Sequence, residues 1–567
     1  MSKKQWCISF IFIIVCFLFP VATHAEVEED KVWTVTFSTP MDEQTIDNSS
    51  VRVTSLDGER VDTELEMIDE TTLKVHSPSE GYSPGASYLL YISSDVKSKE
   101  GEALKDEVVL DFTIEHPESP SNGTMNHDME EDMDIYHPSV PLKEYGIVED
   151  DIDLMGIAKG GENLSKVLSV NDGELSVPTE NGLMPLDTET SYQLKVYMKN
   201  GDRHYINFTT SGLPKLKLND DEGSTFLIPA DPAEGFNYPY FLRLPSERHK
   251  EDNEDDARRL MVVPNNTGST NKEIDTLSRT KNEMFGHPLI RDMGERLWAP
   301  VLVPAFPRYR VGYEGGYFYT HALDRYSMML DNMYGDMKTD DRFRSRVDSE
   351  GLRMEDINDM RNIDEQLEAM IDHAIAYLNE YGHGIEEDKV FLSGYSAGGN
   401  FTNRWAALHP DRVKAVASGG VNSTAIIPME EKDGEELIYP IGVSDVEEIT
   451  GEPFNLSAYN DVANFMYQGE EDTNDTFQYN DTFGPEEKDL IREFMGEEMY
   501  PTRWNNNKEL YFESGAEGAF GLYYGVGHEI TDRIMYDLTE FFKDNRSSKK
   551  PVYPDSSSYV DVDTEAE

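Results

Sequence analysis

The sequence has only two cysteines in 567 residues, Cys7 and Cys16, and both fall within the first 25 positions. A chain starting after that segment would have no cysteine, which excludes support by disulfides. Positive charge is also scarce. There are 50 Lys and Arg against 110 Asp and Glu, for a formal net charge of −60. Such a surface repels nucleic acid and anionic membranes, so neither is an expected partner. The charge is read as adaptation to salt or high pH rather than as a binding device. Long apolar runs are missing too, since Ile8 to Phe19 is too short for a comfortable membrane span. That run lies between Lys3 and Lys4 on one side and Ala22-Thr23-His24-Ala25 on the other. This is the plan of a signal peptide over residues 1–25. Val15 before Cys16 argues against a lipoprotein cleavage site. Removing the segment takes Lys3 and Lys4 with it and leaves a net charge of −62. The expectation is a secreted protein, free or associated with the cell surface, from a Gram-positive bacterium, with no membrane span after signal cleavage.

What remains is long enough for two to four domains. Residues 30–115 read as an all-β unit, in which Trp33, Val35 and Phe37 alternate with Thr34 and Thr36 and Asp57-Gly58 marks a turn. The series VTFSTPMD, YSPGASYLLYIS, GEAL and VVLDFTIE resembles the bacterial immunoglobulin-like modules of S-layer proteins and secreted enzymes. The resemblance implies a spacer, or a module attaching the protein to a cell wall or surface. Residues 116–141 are polar and acidic and read as a linker. His127 and His137 flank its acidic run but lack metal-site spacing. A second β-rich region spans 142–212. Within it Tyr192, Leu194, Val196 and Met198 alternate up to Asn200-Gly201, the strongest short hairpin signal. A catalytic domain is expected over 213–545, with early strands at Tyr238 to Leu244, 261–263 and 301–303. Its charged stretch 331–360 reads as a lid or a solvated excursion. A disordered tail is expected over 546–567.

The catalytic domain is organised around Lys389 to Gly399, KVFLSGYSAGG. An apolar run stops at Gly394, Ser396 follows, and Gly398 and Gly399 come after it. This G-x-S-x-G pattern suits a strand that turns sharply into a helix and leaves one serine exposed in a strained position. Upstream, Ile363, Leu367, Met370, Ile371, Ala374 and Leu378 recur at helical spacing. Downstream, Asn400 to His409 reads as a helix and Val413 to Ala417 as a buried strand, the rhythm of a parallel sheet.

The run GYSAGGNFTNRWAALHPDRVKAVASGG, residues 394–420, resembles the nucleophile region of secreted α/β-hydrolases, nearest to the polyester depolymerase and feruloyl-esterase-like group. The resemblance implies an α/β fold with a doubly wound, mostly parallel sheet, and a serine nucleophile, Ser396. It also implies a triad in the chain order Ser, acid, His. Only His409 and His528 follow Ser396. His409 ends the helix after the serine and suits a dipole contact. His528, in the Gly525-Val526-Gly527-His528 loop, is the expected base. It lies between an expected strand at 510–512 and a helix marked by Ile530, Ile534, Leu538 and Phe541. In similar hydrolases the acid follows a strand-ending glycine as G-x-x-D, which Gly469 and Asp472 match. Asp475 is the alternative acid, and calcium binding is an alternative use of that cluster.

The expected oxyanion donors are the Ala397 N–H and one donor from the loop after Val263, at Asn266 or Thr267. That loop departs from the family's His-Gly. Tyr395 and His321 are candidate substrate contacts. This chemistry requires no metal or organic cofactor. The expected activity is cleavage of carboxylic esters, polymeric or small, through an acyl-enzyme. A prolyl-oligopeptidase-type peptidase and a non-catalytic surface-binding protein are the alternatives.

Overall fold

The computed structural model describes residues 26–565 except positions 28, 38, 56–59, 80, 84–85, 94, 100, 102, 105–107, 115–122, 165, 218–222, 250–256, 267, 315 and 479–481. The expected signal peptide and Thr267 lie outside the described residues. The chain divides into two units, Met1–Gly212 and Leu213–Glu567.

The first unit contains two separate apolar cores. In one, a five-stranded and a three-stranded sheet bury Val35, Leu73 and Val75 with Val51, Val53, Leu90 and Phe112. The expected alternation is present, because Val35 is buried while Thr34 and Thr36 are exposed. The other core lies under a five-stranded sheet in which Ser191–Met198 and Arg203–Thr209 form a hairpin about Asn200-Gly201. Tyr192, Leu194, Val196, Ile206 and Phe208 point into it. The expected linker 116–141 is corrected here. Thr124–Asp128 pairs in parallel with Arg203–Asn207, and Met133 and Ile135 are buried. The short apolar contribution of this strand was masked by its acidic neighbours.

The second unit is built on nine strands: β1 (Ser224–Ile228), β2 (Tyr240–Leu244), β3 (Met261–Val262), β4 (Val301–Pro304), β5 (Val390–Tyr395), β6 (Val413–Gly419), β7 (Ala463–Gly469), β8 (Ala519–Tyr523) and β9 (Val560–Asp563). Their order across the sheet is β1-β2-β4-β3-β5-β6-β7-β8-β9. Neighbours from β4 through β8 are parallel, and the outer pairs are antiparallel. The β5, β6 and β7 strands are buried almost throughout, as strands covered on both faces must be. Five helices bear on the site: α1 (Glu273–Gly286), α2 (Ile363–Glu380), α3 (Ala397–Leu408), α4 (Trp504–Glu513) and α5 (Asp532–Asn545). The α2 stripe of Ile363, Leu367, Met370, Ile371, Ala374 and Leu378 is fully buried. Burying each large side chain contributes about 1.5–3 kcal/mol.

Three expectations change. Residues 510–512 belong to α4, where Trp504, Asn507, Leu510 and Tyr511 are buried at helical spacing. The strand before His528 is instead β8, whose glycine-rich surroundings hid it. The stretch 331–360 forms helices Leu330–Thr339, Asp341–Ser349 and Met354–Asn358, which bury Met337, Phe343, Val347 and Ile357 in the core. The tail is also ordered, since β9 adds antiparallel to β8 and Arg546 is buried.

Candidate active site

The parallel strands β5, β7 and β8 end at one edge of the sheet, and the loops leaving them carry Ser396, Asp472 and His528. Ser396 has φ 60° and ψ −126°, an unusual conformation for a residue with a Cβ. Its N–H donates to the Gly419 carbonyl at 2.9 Å, which ties the turn to β6. Contact fixes the glycines of the turn. A Cβ at Gly394 would meet the Gly398 carbonyl oxygen at 2.1 Å, and one at Gly399 would meet that of Gly419 at 2.2 Å. Gly398 has room by comparison. Ala397 opens α3, so its N–H lies in the first turn, where the helix supplies no acceptor.

Asp472 accepts from His528 Nδ1 at 2.8 Å, with the carboxylate side chain 2% and the imidazole 26% exposed. The two loops are laced together by their backbones. Glu470 N–H donates to the Tyr523 carbonyl at 2.8 Å, and Glu471 N–H to that of Val526 at 2.9 Å. Gly420 lies beside both His528 and Ser396: a Cβ there would stand 3.2 Å from His528 Cε1 and 3.5 Å from the Ser396 nitrogen. With Nδ1–H given to Asp472, Nε2 carries the lone pair. The Asn474 amide donates to it at 3.0 Å. Asn474 is held in turn by its own N–H on Asp472 Oδ1 at 2.9 Å.

Asp475, the alternative acid, is used elsewhere. It receives the Arg503 guanidinium at 2.8 and 3.2 Å, and Arg503 is fully buried. Asp472 and Asp475 are thus each committed to a side-chain partner, which weakens the calcium alternative. His409 meets Asp364 at 2.9 Å and stacks on Trp405, away from the serine turn.

Tyr395 and His321 are both buried. The Tyr395 ring lies 4.9 Å from that of His528 and supports it, and its phenol is held well above its ordinary range by burial and by Asp472 and Glu529. His321 is 1% exposed and contacts the Phe306 carbonyl at 3.1 Å. Asn265 donates to the same carbonyl at 3.0 Å, so the pair ties the loops after β3 and β4 together. The expectation that His321 touches substrate is corrected by this burial.

The Asn266 N–H, an expected oxyanion donor, is engaged by Glu283 Oε2 of α1 at 3.0 Å. Burial pushes the Glu283 carboxyl up to about 7, and the Asn266 bond lowers it by less. The unfolded value is about 4.3. Because the folded value is raised, this group's stability contribution is complete below the unfolded pKa and is lost as pH rises through about 7. Glu283→Gln is expected to match the wild type at pH ~4 and to exceed it at pH ~8, by on the order of 3–4 kcal/mol in chemical denaturation.

Asn474 and Arg503 were not singled out from sequence. The D-x-N spacing of Asp472 and Asn474 signals a local turn and could have found the first. Arg503 has no local signal.

Residues 13–114 match the bacterial Ig-like domain family, a match that begins inside the expected signal peptide. The N-terminal region therefore carries a bacterial Ig-like domain. No curated protein sequence matches the chain. Among solved structures, a ferulic acid esterase aligns at 13% identity over 58% of this chain and 99% of its own, with a TM-score of 0.30. An S-formylglutathione hydrolase from Agrobacterium tumefaciens aligns at 11% identity over 57% and 95%, with a TM-score of 0.30. The N-terminal part of the bacterial S-layer protein SbsC aligns at 12% identity over 33% and 43%, with a TM-score of 0.15.

Proposed function

We propose that the C-terminal unit is an α/β-hydrolase-type serine esterase, in a secreted protein whose Ig-like domain spaces it from, or attaches it to, a surface. The observation that carries this reading is the strained backbone of Ser396 at the tip of β5, beside a His528 that Asp472 holds by Nδ1. Strain of this kind persists only where the surrounding structure enforces it.

In this mechanism Ser396 Oγ attacks the ester carbonyl carbon as His528 Nε2 takes the hydroxyl proton. Asp472 fixes the tautomer and stabilises the imidazolium. The Asn474 amide must release Nε2 for this transfer. The tetrahedral oxyanion forms over the Ala397 N–H, and Asn266 can supply a second donor only when Glu283 releases it. His528 then returns the proton to the departing alcohol oxygen, leaving an acyl-Ser396 ester. Water attacks that ester with His528 again as base, and the acid is released. The test is hydrolysis of 4-nitrophenyl esters by the full chain. Turnover lost in Ser396→Ala supports the reading, and turnover unchanged in that variant refutes it.

A further inference from the structure

A cavity of about 350 Å³ opens between the loops that follow β3 and β4, lined by Ser269, Arg308, Tyr309, Arg310, Tyr317 and Tyr319. Its charged lining residues are both arginines, in a chain with a formal net charge of −60. The Arg308 guanidinium stands 3.4 Å from the Tyr319 ring centroid. Arg310 is fixed at its backbone, where its N–H donates to Asn271 Oδ1 at 2.7 Å, and its guanidinium donates to the Ser269 carbonyl at 3.2 Å. Arg279 of α1 reaches the Gly268 and Ser269 carbonyls at 2.7 and 3.3 Å.

Elsewhere in this unit Arg259, Arg291, Arg325, Arg412 and Arg503 each hold a carboxylate. Among the described residues, neither Arg279 nor Arg310 has one within ion-pair distance. Arg310 in the lining and Arg279 beside it therefore present positive charge at this opening.

The cavity opens on the same edge of the sheet as the candidate nucleophile. The β3, β4 and β5 strands are parallel, so the loops after them leave the same sheet edge as Ser396. The Pro264 carbonyl lies against the start of α3, 3.6 Å from where a Gly398 Cβ would be. Asn265 and His321 bind the Phe306 carbonyl, and Arg308 is only two residues further, at most about 7 Å of chain.

We propose that this cavity is a subsite for a free carboxylate carried by the ester substrate, so that the preferred substrates are half-esters of dicarboxylic acids. The inference rests on the esterase reading for the word substrate. The Arg310 fork matches a carboxylate in a way no other exposed group here does. The tyrosine rings give the ligand apolar walls, and the acidic surroundings repel the same anion elsewhere.

The experiment needs no turnover. Monomethyl adipate and neutral dimethyl adipate are titrated into full-length Ser396→Ala protein by ligand-observed NMR, with and without Arg310→Gln or Arg308→Gln. The monoester is expected to bind more tightly than the diester, and to lose about fivefold or more in affinity with Arg310→Gln. The diester is expected to be unchanged. Arg310 is exposed, so its substitution is compatible with folding. Equal affinity for the two ligands, no detectable binding, or indifference to both arginine substitutions would overturn the proposal. Because binding is read without hydrolysis, failure of the esterase reading shows separately, as wild-type protein that turns over no ester.

Discussion

Asp472→Asn protein is expected to fold normally and to lose about 10³–10⁴-fold in kcat for ester hydrolysis at neutral pH. The asparagine keeps the shape of the side chain, but its amide can present N–H to His528 Nδ1. That favours the tautomer with the proton on Nε2, which cannot accept from Ser396. The Asp472 carboxylate is almost fully buried and bonded to His528 at 2.8 Å, so the effect falls on the base itself. Steady-state kinetics beside Asp475→Asn separates the two acids of this loop. Asp475 faces Arg503 rather than His528, so its substitution should act through stability and leave kcat far less changed. The reverse ranking would move the acid role to Asp475.

Replacing Arg503 with methionine is expected to destabilise the C-terminal unit by about 3–5 kcal/mol, the cost of leaving a buried charge without its partner. The guanidinium has no solvent exposure. It binds Asp475 and also donates to the carbonyls of Asn422, Gly496 and Glu497. Asn422 Oδ1 in turn accepts from the Thr476 N–H at 3.1 Å. One side chain thus pins the loop after β7, the turn after β6 and the segment before α4. Scanning calorimetry should show the C-terminal unit melting about 5 °C lower, from the usual entropy of unfolding per residue. The double variant Arg503→Met with Asp475→Asn should recover part of the loss, because it no longer buries an unpaired carboxylate. A melting temperature unchanged in Arg503→Met would show that the pair does not support the loop.

The serine turn was legible because its chemistry is local. The tight Gly394 near the end of β5, a strained Ser396 and the tight Gly399 lie within six residues, and the helical stripe of α2 shows the same face repeatedly. His528 could be chosen because few histidines follow Ser396, and Asp472 because it follows the glycine that ends β7. What the sequence hid was long-range. The Glu283 carboxylate that takes the Asn266 N–H comes from a helix 17 residues further on, and Arg503 meets Asp475 across 28 residues. Neither pairing leaves a periodic trace. Composition misled where an ordered element was polar. Thr124–Asp128 and Val560–Asp563 are edge strands, each paired on one side only, so few of their residues need to be apolar. The opposite error arose at Leu510 to Phe512, where three bulky residues in a row read as a strand although the surrounding spacing is helical. Tyr395 and His321 have the residue types of substrate contacts, yet both are buried, Tyr395 against the His528 ring and His321 against the Phe306 carbonyl.

The most direct test of the central claim is to treat the full chain with a fluorophosphonate probe and map the adduct by peptide mass spectrometry. The account predicts a single modified peptide carrying the adduct on Ser396, absent from Ser396→Ala and strongly reduced in His528→Ala. A folded wild-type protein that takes up no probe, or an adduct on any other residue that persists in Ser396→Ala, would contradict it.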